Sequence, residues 1–167
     1  DEWVDDVDAV YRTHADYYAR MFKRQESVFN TKNEKHAIEA IEQELENMRV
    51  AWRWSLDHQH WSALDDMLQS ILLFYLSRSM LMEGSECFCD VASTLEAQNL
   101  TDHPLHWRAR IRESWMLGRI GDFERVWKLS KDAYDFFKTR DDHGEMIHAL
   151  NNMSYARMMQ SRYDEAR

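Results

Sequence analysis

Apolar residues recur every three or four positions along nearly the whole chain, the spacing that stacks side chains on one face of an α-helix. Val4, Val7, Tyr11, His14, Tyr18, Met21 and Phe22 form one such stripe and predict a helix over about residues 2–26. Thr31 or Asn33 can cap a second helix, whose stripe of Ile38, Ile41, Leu45, Met48, Trp52 and Leu56 reads as one continuous element more than five turns long. A third helix is predicted over about 61–76 with Leu64, Leu68, Ile71, Leu72 and Tyr75 inward. A fourth, over about 83–97, buries Gly84, Phe88, Val91 and Leu95. Asp102, His103 and Pro104 announce a fifth, because proline in a first turn lacks only an N–H that would have no helical partner there. That helix runs to Arg119 and is broken by Gly121 and Asp122. A sixth uses Phe123, Val126, Trp127, Ser130, Ala133 and Phe137, and a seventh follows the polar corner at 140–144 and spans about 145–160. An eighth starts after Ser161 and Arg162 and is cut at Arg167, so the chain reads as a fragment.

Composition supports an all-α fold. Only 4 Gly and 1 Pro occur in 167 residues, where an average soluble chain carries about 12 and about 8. Turns are therefore few, and sandwiches, barrels and Gly-rich phosphate cradles are disfavoured. Ten Met and seven each of Trp, Tyr and Phe supply apolar mass for a core. The net charge of −9 is uneven: residues 1–100 hold 19 acidic and 9 basic side chains, residues 101–167 hold 11 and 12. Such a front repels polyanions, so no direct nucleic-acid partner is expected. The longest apolar run, 71–76, falls far short of the roughly 20 residues that span a bilayer. A soluble, cytoplasmic protein without a membrane partner is the expectation.

Candidate chemistry is sparse. Cys87 and Cys89 are two residues apart, about 200° around a helix, and can neither bridge nor share a metal. No G-x-x-x-x-G-K-[ST] occurs, so ATP is not bound in the P-loop manner, and no cofactor is expected. His58 with His60, and His103 with His106, lack a further ligand at a familiar offset and read as structural or solvated. His14 reads as a packed histidine. Asp65–Asp66 and Asp141–Asp142 fall at predicted helix starts, where carboxylates favour the positive end of the helix dipole. No G-x-S-x-G elbow marks a nucleophile.

Three corners align: Ser79-Met80-Leu81-Met82-Glu83-Gly84, Gly121-Asp122-Phe123-Glu124-Arg125-Val126 and Ser161-Arg162-Tyr163-Asp164-Glu165-Ala166. Their period is about 42 and then about 40 residues, the mark of stacked helix pairs. Ala149-Leu150-Asn151-Asn152-Met153-Ser154 followed by Ser161-Arg162-Tyr163-Asp164-Glu165-Ala166-Arg167 resembles the tetratricopeptide repeat (TPR) family's A-L-N-N-L-G and G-R-Y-D-E-A-R. Two earlier units match less well: Ser79 stands for the turn glycine in one, and Glu113-Ser114 for Leu-Gly in the other. Glu44-Leu45-Glu46-Asn47-Met48-Arg49-Val50-Ala51-Trp52-Arg53-Trp54-Ser55-Leu56 is similar to the E-L-D-N-L-R-A-A-L-x-W-A-L segment of bacterial STAND-class signalling NTPases. His14-Ala15-Asp16-Tyr17-Tyr18 resembles their H-x-x-Y-Y. The resemblance implies an α-α superhelix, with residues 1–59 as a helical pair leading into repeats at about 60–100, 103–140 and 142–167, the last truncated, all in one continuous solenoid. It also implies a non-enzymatic sensor, with any ATPase activity in an upstream part.

In that family the first helix of each pair lines a concave groove. Carried onto this chain, its contact positions are His148, Asn151, Asn152, Tyr155, Met158 and Met159, and Arg108, Ile111, Arg112, Trp115, Gly118 and Arg119. The second set would bury Arg110 and Glu113. A one-residue shift instead buries Ile111, Ser114, Trp115 and Gly118 and leaves Arg112, Met116 and Arg119 in the groove. Arg112 and Arg119 survive both registers, and their guanidinium forks suit a carboxylate or phosphate on a protein or peptide partner. On this reading, Arg112→Glu with Asn152→Ala should abolish capture without unfolding. Two other readings are an oligomerisation or autoinhibitory scaffold, its acidic front packing on the upstream NTPase part, and a metal-dependent helical hydrolase built on the histidines.

Overall fold

The computed structural model describes residues 2–29 and 31–161, and every regular element among them is an α-helix. These are α1 (Glu2–Glu26), α2 (Glu34–Gln43), α3 (Leu45–Asp57), α4 (Trp61–Ser77), α5 (Leu81–Ala97), α6 (Pro104–Ile120), α7 (Phe123–Lys138) and α8 (His143–Met159). The eighth helix predicted after Arg162 lies outside the described residues.

From the end of α3 onward the corners share a left-handed residue. Gln59, Ser79, Asn99, Gly121, Asp141 and Ser161 each adopt positive φ, between 56° and 104°, about every 20 residues. After α3, α5, α6 and α7 the same backbone bond closes the helix: His60 N–H donates to Ser55, Leu100 to Leu95, Asp122 to Leu117 and Asp142 to Phe137, each at 2.8–3.2 Å. This left-handed Schellman ending satisfies a terminal carbonyl and turns the chain back on itself in three residues. Gly121 takes the conformation without a Cβ clash, whereas the five other corners hold it despite one.

Three of the helices that follow, α6 to α8, are capped by a side chain, whereas α4 and α5 are not. Asp122 and Asp142 side chains accept from the N–H groups of Arg125 and Glu145, and His103 Nδ1 accepts from Leu105 ahead of Pro104. Asn33 sits at the cap position of α2 without a side-chain bond. Asp65 and Asp66, expected at a helix start, lie instead in the second turn of α4.

The chain divides into two compact units, Asp1–Arg78 and Ser79–Arg167. In the first, α1 packs on α3 and α4, and α2 on α3 and α4. Leu64, Leu68, Ile71, Leu72 and Tyr75 are buried as their spacing predicted, together with Phe22, Ile41 and Met48. The single helix expected over Ile38–Leu56 is broken at Glu44, whose backbone leaves helical geometry. Its carboxylate accepts the Tyr18 hydroxyl at 2.7 Å and Asn47 Nδ2 at 2.8 Å, tying α1 to the break. Burial and this acceptor together raise the Tyr18 pKa to about 12. Val4 of the α1 stripe lies outside the residues whose side chains are described; Val7 and Tyr11, expected inward, are exposed, and among the described residues the buried face runs from Ala15 through Tyr18, Ala19 and Phe22.

In the second unit α6 is central. It packs on α5, α7 and α8, and α7 packs on α8. Ile111, Ala133, Phe137 and Ala149 form one buried cluster among these helices, and Leu117, Val126 and Ala156 another.

Candidate functional site

Because α6 is covered from several sides, it buries residues all around its axis, eleven in total. The two registers weighed from the sequence are therefore not exclusive. Ile111, Ser114 and Gly118 are buried, and so are Arg110 and Glu113. The charged pair is accommodated because its neighbours neutralise it. Arg110 donates to Glu113 Oε2 and to Glu96 Oε1, each at 2.6 Å, and Arg125 reaches the other Glu113 oxygen. His106 Nε2 lies 2.8 Å from the same Glu96 oxygen. Burial opposes the Arg110 charge, but Glu96 and Glu113 together hold its pKa above the ordinary value. Sequence reasoning missed this network; its one trace was that one of the two registers buries Arg110 and Glu113, three apart on the helix.

His106 makes the network sensitive to acid. Burial lowers its pKa below the ordinary value of 6.5, outweighing the hydrogen bond to Glu96. Burial raises that of Glu96, but the bonds from Arg110 and His106 prevail and hold it low. As pH falls below about 6.5 the unfolded chain takes up a proton at His106 that the folded site resists, so stability declines. Glu96 adds its own loss below pH 4.5. The urea midpoint should fall between pH 7 and pH 5, and His106→Gln should flatten that fall. An undiminished slope in His106→Gln would place its origin elsewhere, for instance at His148, which partial desolvation and Arg112 also hold low.

The other expected contact residues separate into three places. Arg112 is not presented to a groove. It is buried, and both its terminal nitrogens bind Glu145, one of them at 3.0 Å. Arg108 points the same way, 3.6 Å from Glu145 and from Asp142. The carboxylate expected on a partner is thus supplied by α8 of the same chain. His148 is exposed beside this cluster, and Asn151 is exposed on the outer side of α8.

Trp115, Arg119, Asn152 and Tyr155 do come together. With Ser114, Gly118 and Val126 they line a small cleft, with about 20 Å³ of water-accessible space, between α6, α7 and α8. Arg119 is exposed, its guanidinium 5.8 Å from the Trp115 ring and 5.9 Å from the Tyr155 ring, and it has no carboxylate partner among the described residues. Gly118 lets the cleft close tightly, since a Cβ there would stand 3.3 Å from the Tyr155 ring. Asn152 is 2% exposed and donates Nδ2 to the Ile111 carbonyl at 3.0 Å and to Ser114 Oγ at 2.6 Å. That orientation fixes its Oδ1, which, like Trp115 Nε1, is buried without a hydrogen-bond partner among the described residues. One donor and one acceptor in the cleft wall therefore stand unsatisfied, at a cost of about 1–3 kcal/mol each.

No nucleophile–base pair lies among the described residues that line the cleft. No three His, Cys, Asp or Glu side chains converge as a metal would require among the described residues. His58 and His60 instead face Asp8 and Asp16 at 3.7 Å and 3.3 Å. No helix among the described residues is long and apolar enough to cross a membrane. No family model, curated protein or solved structure matches the chain.

Proposed function

We propose that this chain is a non-enzymatic interaction module, the TPR-type sensor part of a STAND-class signalling NTPase, which holds an extended peptide segment of a protein partner. The helix pairs, the left-handed corners about every 20 residues and the small residues at Ser79, Gly121 and Ser161 support a superhelical solenoid. Nucleotide chemistry would belong to an upstream part, and the setting would be the bacterial cytoplasm. The observation that carries the binding reading is the cleft, whose lining brings Trp115, Asn152 and Tyr155 together with the exposed Arg119 guanidinium. An anionic group on the partner pairs with Arg119, while the Trp115 N–H and the Asn152 carbonyl oxygen, both shielded from solvent, become partners for a peptide amide only when the side chains lining the cleft move apart.

Capture from an array of extended peptides tests this. Arg119→Glu lies at an exposed position and should weaken capture at least tenfold, the scale of one charge-assisted hydrogen bond. Trp115→Phe keeps a ring and removes only the donor, and should weaken it less. Unchanged capture by both variants would remove the cleft as the site. Arg112 and Asn152 are unsuitable for this purpose, contrary to the expectation from sequence, because both are buried and bonded within the chain.

A further inference from the structure

We infer that the N-terminal part of α1 is a docking face for a cationic amphipathic helix. Residues 7–13 are all exposed, although the chain is helical throughout this stretch. Val7 (51%), Val10 (62%), Tyr11 (42%) and Tyr17 (56%) are among the most exposed large apolar side chains in the protein. At 100° per residue these four and His14 fall in a sector of about 120°, one continuous ridge along α1. Among the described residues of that helix, the buried ones fall in its later turns, at Ala15, Tyr18, Ala19 and Phe22. A few helical turns have little stability in water by themselves, and the usual remedy is to bury an apolar face.

Charge selects what covers it. Residues 1–16 carry Asp1, Glu2, Asp5, Asp6, Asp8 and Asp16 against Arg12 alone. Helical register sets Asp8 on one flank of the ridge. A favourable interaction with the helix dipole accounts for acids in the first turn, and not for valines and tyrosines exposed beside them. Asp8 and Asp16 do approach His58 and His60, at 3.7 Å and 3.3 Å. A second copy of the chain would set this acidic segment against itself, and an anionic membrane surface would be repelled. The complement is a helix with an apolar stripe flanked by Lys or Arg. This face is independent of the α6–α8 cleft, and the inference holds whichever ligand that cleft takes.

The test is calorimetric titration of the 167-residue chain with a synthetic Leu/Lys amphipathic peptide of about 18 residues, long enough to form a helix, and with its Leu/Glu counterpart. The Leu/Lys peptide should bind at one site, more weakly as salt rises. Val10→Asp with Tyr11→Ser should weaken binding at least tenfold although it adds a negative charge, with the circular dichroism spectrum unchanged. Arg119→Glu should bind as the parent does. Binding that persists or tightens in the double variant would mean unspecific charge attraction and overturn the proposal. Equal binding of the Leu/Glu peptide, no binding at all, loss in Arg119→Glu, or a dimer in sedimentation that the double variant dissolves would each overturn it too.

Discussion

Glu113→Ala should destabilise the unit that begins at Ser79 by about 3 kcal/mol, measured as a shift in urea unfolding followed by circular dichroism. Glu113 is 0% exposed and takes Arg110 on one oxygen and Arg125 on the other. Removing the carboxylate leaves the Arg110 guanidinium buried with half its compensation, which is the expensive way to break a buried ion pair. The cost falls at the lower end of the usual range because Glu96 still holds Arg110, and Arg125, with 46% of its side chain exposed, can turn to solvent. Arg125→Ala should cost about 1–3 kcal/mol, since the exposed arginine loses little itself but leaves one oxygen of the fully buried Glu113 without its partner. Replacing Arg110 and Glu113 together by methionine should recover most of the loss, since desolvating two charges consumes most of what their attraction returns. A Glu113→Ala variant within about 0.5 kcal/mol of the parent would contradict this account of the network.

Arg112→Met should cost a similar amount, about 3 kcal/mol, and the double replacement with Glu145→Met should be far milder than the sum of the singles. Arg112 links α6 to the first turn of α8, and both partners are nearly excluded from water. Arg112→Glu should be worse than Arg112→Met, since it sets a second buried carboxylate against Glu145. A double-mutant cycle in urea reads the coupling directly. Additive effects would mean that the two side chains act independently. Loss of partner capture in any Arg112 variant should accompany loss of fold, a pattern distinct from that expected for Arg119→Glu.

These outcomes mark where reasoning from residue spacing stops. Arg112 looked like a groove residue because one helix face was assumed to be covered and the opposite one open. α6 has neighbours on several faces, so its arginines needed internal carboxylates, and α5 and α8 provide them through Glu96 and Glu145. The break at Glu44 was invisible for a related reason. The apolar period runs through it without a fault, and only the bond from Tyr18, 26 residues earlier in the chain, reveals it. Trp115, Arg119, Asn152 and Tyr155 could be named in advance from a resemblance, while the orphaned acceptor among them depends on which way Asn152 turns.

The sequence by itself determined the all-helical character and, through local chemistry, most of the corners. Apolar residues at helical spacing, the scarcity of Gly and Pro, Pro104 at a first turn, and Gly121 or Ser79 where the backbone turns left-handed all act within a few residues of one another. Tertiary structure decided which charges are buried, which carboxylate each arginine meets, and which apolar faces stay open on α1. Those depend on how many helices surround a given one. Burial is a property of the assembled neighbours, and one helix's periodicity contains no count of them.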